Sequence, residues 1–96
     1  MTKSNERPLG EIIREVLKYH RLDDKVTETR LMLSWDKLMG NHIARYTVRL
    51  VLQGSHLTVY LRSSVLRNEL GYAKTKIIDM INQELGETIV REISFR

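Results

Sequence analysis

The chain has 96 residues, of which 42% are hydrophobic, enough for one modest core and for a folded rather than a disordered domain. It lacks cysteine, which excludes disulfides, thiolate zinc sites and cysteine nucleophiles. Sixteen Lys and Arg are interspersed with twelve Asp and Glu for a net charge of +4, a balance that suits an anionic partner without demanding one.

Residues 1–7 are polar and read as a flexible leader, without the apolar stretch of a signal peptide. No apolar run is long enough to cross a bilayer, so no membrane association and a cytoplasmic location are expected. Residues 8–96 read as a single domain. Pro8 suits the first turn of a helix. Leu9, Ile12, Ile13, Val16 and Leu17 recur at helical spacing, predicting an amphipathic helix over about 8–20.

Asp23 is placed to cap a second helix, with Asp24 in its first turn. That helix should run to about Met39 and end at Gly40, with Asn41–Ala44 adding a single turn. Its apolar set is Val26, Leu31, Leu33, Trp35, Leu38 and Met39. The dense stretch around Leu31-Met32-Leu33 is wider than one stripe and predicts burial on two sides. Trp35 reads as core.

The period then changes to two. Val48, Leu50 and Leu52 alternate with Thr47, Arg49 and Val51, and after Gly54-Ser55, Leu57, Val59 and Leu61 alternate with Thr58, Tyr60 and Arg62. This pattern is a β-hairpin. Ser63 or Ser64 caps the next helix, in which Leu66, Leu70, Ala73, Ile77, Ile81 and Leu85 keep a helical period. Gly71 marks a bend or a break within it, and Gly86 ends it. Ile89–Phe95 reads as a third strand with Ile93 and Phe95 inward.

The expected order is thus α-α-β-β-α-β, an α+β fold whose three-stranded sheet is covered on one face by helices and open on the other. The open face would carry Thr47, Arg49, Val51, Thr58, Tyr60, Arg62, Glu92, Ser94 and Arg96. Arginines around an aromatic suit phosphate contacts and base stacking on a single strand, although an ordinary solvated face has the same composition. The candidate nucleic-acid residues are Arg49, Tyr60, Arg62, Arg67 and Arg96. Ser63 and Ser64 open a helix whose free N–H groups could hold an anion; simple capping is the alternative.

Catalytic and metal chemistry find no support in the sequence. His20, His42 and His56 have no partner at ligand spacing, Asp23-Asp24 reads as a cap rather than an acid/base pair, and no Gly-rich phosphate loop or nucleophile elbow occurs. No cofactor is expected.

Trp35-Asp36-Lys37-Leu38-Met39-Gly40-Asn41-His42-Ile43-Ala44-Arg45-Tyr46-Thr47 resembles the signature of the DciA-like family: a Trp, a Gly five later, an Ala four after that, and a Thr opening the first strand. Leu57–Leu61, Ser63–Leu70 and Ile89–Arg96 match in the same order and spacing, so the resemblance covers about residues 9–96. It implies a fold similar to a type II KH domain with an extra N-terminal helix. It also implies an accessory role in bacterial DNA replication, engaging the replicative helicase. Longer relatives carry a basic C-terminal extension, and this chain reads as a short member that ends at Arg96. Gly71 is followed by Tyr72-Ala73-Lys74, so the KH-type Gly-x-x-Gly loop is missing. The expected function is a non-enzymatic adaptor of the replication machinery with weak, non-specific single-strand contacts. The alternative is a stand-alone KH-like module that binds single-stranded RNA or DNA.

Overall fold

A computed structural model describes residues 8–12 and 22–96. Residues 9–12 are helical, in keeping with the first predicted helix; the rest of that helix and the leader lie outside the described residues. The elements that follow are α1 (Leu22–Met39), α2 (Asn41–Tyr46), β1 (Thr47–Gln53), β2 (His56–Leu61), α3 (Ser64–Gly71), α4 (Lys74–Leu85) and β3 (Glu92–Phe95). The fold is α+β, and the strands form one sheet in the order β1-β2-β3. β1 and β2 pair antiparallel across a two-residue turn, and β3 lies parallel to β2, as a helical crossover from β2 requires.

Of the two alternatives at Gly71, the break holds, and the crossover consists of two helices. α3 ends at Gly71, and Tyr72 and Ala73 separate it from α4. α4 stops at Gly86, whose φ of 79° is open to glycine at little cost and lets its N–H reach the carbonyls of Asn82 and Gln83.

One face of the sheet is closed by helices. Leu50, Leu52, Leu57, Val59, Leu61 and Ile93 pack there with Leu31 and Trp35 of α1, Leu66 and Leu70 of α3, and Ile77, Ile81 and Leu85 of α4.

Four sequence expectations are corrected. First, α1 buries one side, not two. Thr27, Leu31 and Trp35, four apart, point into the core, whereas Val26, Met32 and Leu33 are exposed. The sheet lies on one side of α1 only, so the wide apolar stretch spills onto the surface. Second, Asp23 is inside the first turn of α1 rather than its cap, where its charge still complements the helix dipole.

Third, Thr47 is buried and Val48 exposed, the reverse of simple alternation. Thr47 pairs with Leu61 and Arg49 with Tyr60, so Val48 is the extra residue of a β-bulge. The cause is polar. The buried indole of Trp35 needs an acceptor. Its Nε1 donates to Thr47 Oγ1 at 2.9 Å, and that hydroxyl donates to the Ile43 carbonyl at 2.8 Å. Thr47 must therefore face inward. The bulge then restores the phase, so that Arg49 faces out and Leu50 faces in.

Fourth, β3 begins at Glu92 rather than Ile89. The Asn82 side chain occupies the preceding backbone. Its Oδ1 accepts from Ile89 and Val90 N–H at 3.1 and 2.9 Å, and its Nδ2 donates to the Val90 carbonyl at 2.8 Å. The two N–H groups are thereby taken from a strand ladder.

Candidate nucleic-acid interface

The open face of the sheet consists of three cross-strand rows. Register puts Gln53, His56 and Glu92 in one row and Val51, Thr58 and Ser94 in the next. The last row is Arg49, Tyr60 and Arg96. Arg49 pairs with Tyr60, while Arg96 donates its N–H to Val59 and accepts from the Leu61 N–H, which sets it opposite Tyr60 on the other side. An aromatic ring is thereby flanked by two arginines from neighbouring strands. The positive charge gathers at one end of the face, and the carboxylate of Glu92 sits at the other.

The Arg49 guanidinium lies 4.4 Å from the Tyr60 ring centroid, within cation–π range. One side of the ring is therefore covered. A base approaching this face meets a guanidinium stacked on a ring, and the outer plane of that guanidinium is itself a stacking surface.

Arg62 and Arg67 stand at the same end but are more constrained. The Arg62 guanidinium donates to the Arg45 carbonyl, and the Arg67 guanidinium donates to the Leu61 carbonyl at 2.9 Å. Each keeps further N–H groups for an anion. Ser63 Oγ accepts the Leu66 N–H at 3.2 Å, which makes it the N-cap of α3, and Ser64 is exposed beside it. The structure thus brings Arg49, Tyr60 and Arg96 into one row and sets Arg62, Arg67, Ser63 and Ser64 at its rim. Thr47, expected on this face, belongs to the core.

Two features of the surface were not legible in the sequence. Tyr72, 85% exposed, projects at the junction of α3 and α4, beside a cleft that Lys74 and Lys76 help to line. The only sequence signal was an aromatic following a helix-breaking glycine. On the sheet, His56 Nε2 lies 2.8 Å from Ser94 Oγ, and its Nδ1 lies 3.8 Å from Glu92 Oε1. The order is that of a hydrolytic triad. Yet the second distance exceeds a hydrogen bond, and the trio sits on a flat strand surface, so the arrangement lacks what nucleophilic catalysis needs.

The described residues contain no group of three or more acidic or histidine side chains placed to hold a metal ion, and no helix among them is long and apolar enough to cross a membrane.

A family model described as Dna[CI] antecedent, DciA, matches residues 8–95. A comparison with curated proteins gives no match.

Proposed function

The chain belongs to the DciA family, which implies a role in loading the replicative helicase during bacterial DNA replication, and from that premise we propose that it is a non-enzymatic adaptor that engages the helicase and touches single-stranded nucleic acid weakly through the open sheet face. The match over residues 8–95 carries the adaptor reading. Exposed Val26 and Leu33, seven apart and so on one face of α1, are consistent with it, because apolar side chains left on a surface can be covered by a protein partner.

The row Arg49-Tyr60-Arg96 supports the nucleic-acid contacts, with Arg62 and Arg67 adding positive charge at its rim and Ser64 a free hydroxyl. Arginines that meet phosphate position a strand but read no sequence. Affinity should therefore be in the micromolar range or weaker near physiological salt, about equal for single strands of any sequence. This separates the reading from the alternative, a stand-alone module selective for certain single strands.

The test is a binding assay with purified components, in which the chain is immobilised and the replicative helicase of the same bacterium is passed over it. Saturable binding is the expected result. A helicase that does not bind, together with tight and sequence-selective binding to single strands, would favour the stand-alone module.

A further inference from the structure

The two edges of the sheet are finished differently. Along β1, the carboxylates of α1 close the edge: Glu28 Oε2 accepts the Leu52 N–H at 2.8 Å, and Asp24 Oδ2 accepts the Gly54 N–H at 3.2 Å. Asp24 and Glu28 are four apart, so one helix face supplies both. Such covering blocks the addition of another strand.

β3 is not finished in this way. The backbone of Glu92 and Arg96 turns toward β2, with Glu92 N–H on Ser55, Arg96 N–H on Val59 and Leu61 N–H on Arg96. In a parallel pair, alternate residues face the neighbouring strand. The N–H and C=O groups of Ile93 and Phe95 therefore point away from the sheet, and they have no hydrogen-bond partner among the described residues. Phe95 is also only partly buried, at the margin of the core.

We infer that β3 is the seam at which two copies of this chain join, antiparallel, into a continuous six-stranded sheet. The register follows from which backbone groups are free. A two-fold axis at Ser94 sets Ile93 against Phe95 of the second copy, and Phe95 against its Ile93. Both residues of each pair have outward N–H and C=O groups, so each pair exchanges two hydrogen bonds. The same register sets Glu92 directly against Arg96 of the second copy, twice, on the open face. On the core face it brings the incompletely buried Phe95 against an isoleucine, an aromatic–β-branched pair of the kind that stabilises sheets. Shifting the axis by one residue puts Glu92 opposite Ser94 and loses both charge pairs. Backbone, charge and apolar complementarity thus select one arrangement, and they select the chain itself as its own partner. A symmetric contact of this kind closes at two copies, and the α1 carboxylates on the Leu52 and Gly54 N–H groups hinder growth at the β1 edge. The inference does not depend on the nucleic-acid reading.

Sedimentation velocity of the whole chain, from low micromolar to several hundred micromolar, tests the seam. The average mass should rise from one copy to two and stop there. Glu92→Arg and Arg96→Glu each place like charges across both pairs and should weaken association about tenfold, while the double variant should return to within about threefold of the original. Hydrogen exchange on the unaltered chain gives a second readout: the Ile93 and Phe95 amides should slow as concentration rises. A chain that stays single at every concentration, assemblies larger than two, or a double variant no better than the single ones would each overturn the inference.

Discussion

On the core face of the sheet, six apolar strand side chains from Leu50 to Ile93 are buried against three helices, and the polar residue buried beside them, Thr47, both accepts and donates a hydrogen bond through its hydroxyl. On the opposite face of the same strands, Arg49, Arg62, Glu92 and Arg96 are exposed, and polar side chains meet one another across strands. The first face is held by apolar burial, which tolerates no vacancy. The second keeps charge in water, where it adds little to stability and remains free to meet a ligand. The bulge at Val48 connects the two. A hydrogen bond to Trp35 on the core face turns Thr47 inward, and the extra residue this requires brings Arg49 out beside Tyr60. Substitutions on the core face should therefore change stability, and those on the open face should change affinity.

The largest effect is expected at Trp35. Trp35→Ala removes the largest fully buried side chain and leaves Thr47 without its donor, at a cost of about 3–5 kcal/mol. In a urea titration followed by circular dichroism, much of the population should be unfolded before denaturant is added. Asn82→Ala comes next. It strips the Ile89 and Val90 backbone of three hydrogen bonds and should lower stability by about 2 kcal/mol in the same titration, with little change in slope. Thr47→Val keeps shape but deprives the indole N–H of its acceptor, a loss of about 1–2 kcal/mol. If the bulge depends on that bond as argued, amide shifts in a heteronuclear spectrum should extend to Val48 and Arg49. Arg49→Ala should alter stability least, by about 0.5 kcal/mol or less, and yet reduce single-strand affinity about equally for every sequence tested. A large loss of stability in this last variant would erase the distinction between the faces.

Most of the fold was legible because burial and period coincide in it. The hairpin alternates cleanly from Leu50 onward, and Leu66, Leu70, Ile77, Ile81 and Leu85 keep a helical stripe through the break at Gly71. What could not be read turns on polar bonds between distant residues. Nothing near Thr47 signals that an indole twelve positions earlier needs its hydroxyl, so alternation put it on the wrong face. Asn82 lies beside an apolar stripe and looks like a surface residue until the chain returns over it and takes three hydrogen bonds from its side chain. The apolar width of α1 was visible, but how many sides are covered depends on where the sheet lies. As for the interface, the sequence identified Arg49, Tyr60 and Arg96 as sharing a face. Their alignment in a single row depends on the bulge and on strand order, neither of which a single strand's pattern contains.

Under the proposed function, one surface holds a protein partner by packing while another meets nucleic acid mainly by charge, with stacking at Arg49 and Tyr60, and these respond differently to salt. The most direct measurement follows two affinities side by side, for the replicative helicase and for a labelled single strand, as salt rises from about 50 to about 200 mM. Single-strand affinity should fall about tenfold or more along a log–log line, with a shallower slope in Arg49→Ala, while helicase affinity changes by no more than a few fold. Single-strand binding that is tight, sequence-selective and indifferent to salt, or a helicase complex that dissolves as steeply as the nucleic-acid one, would contradict the account.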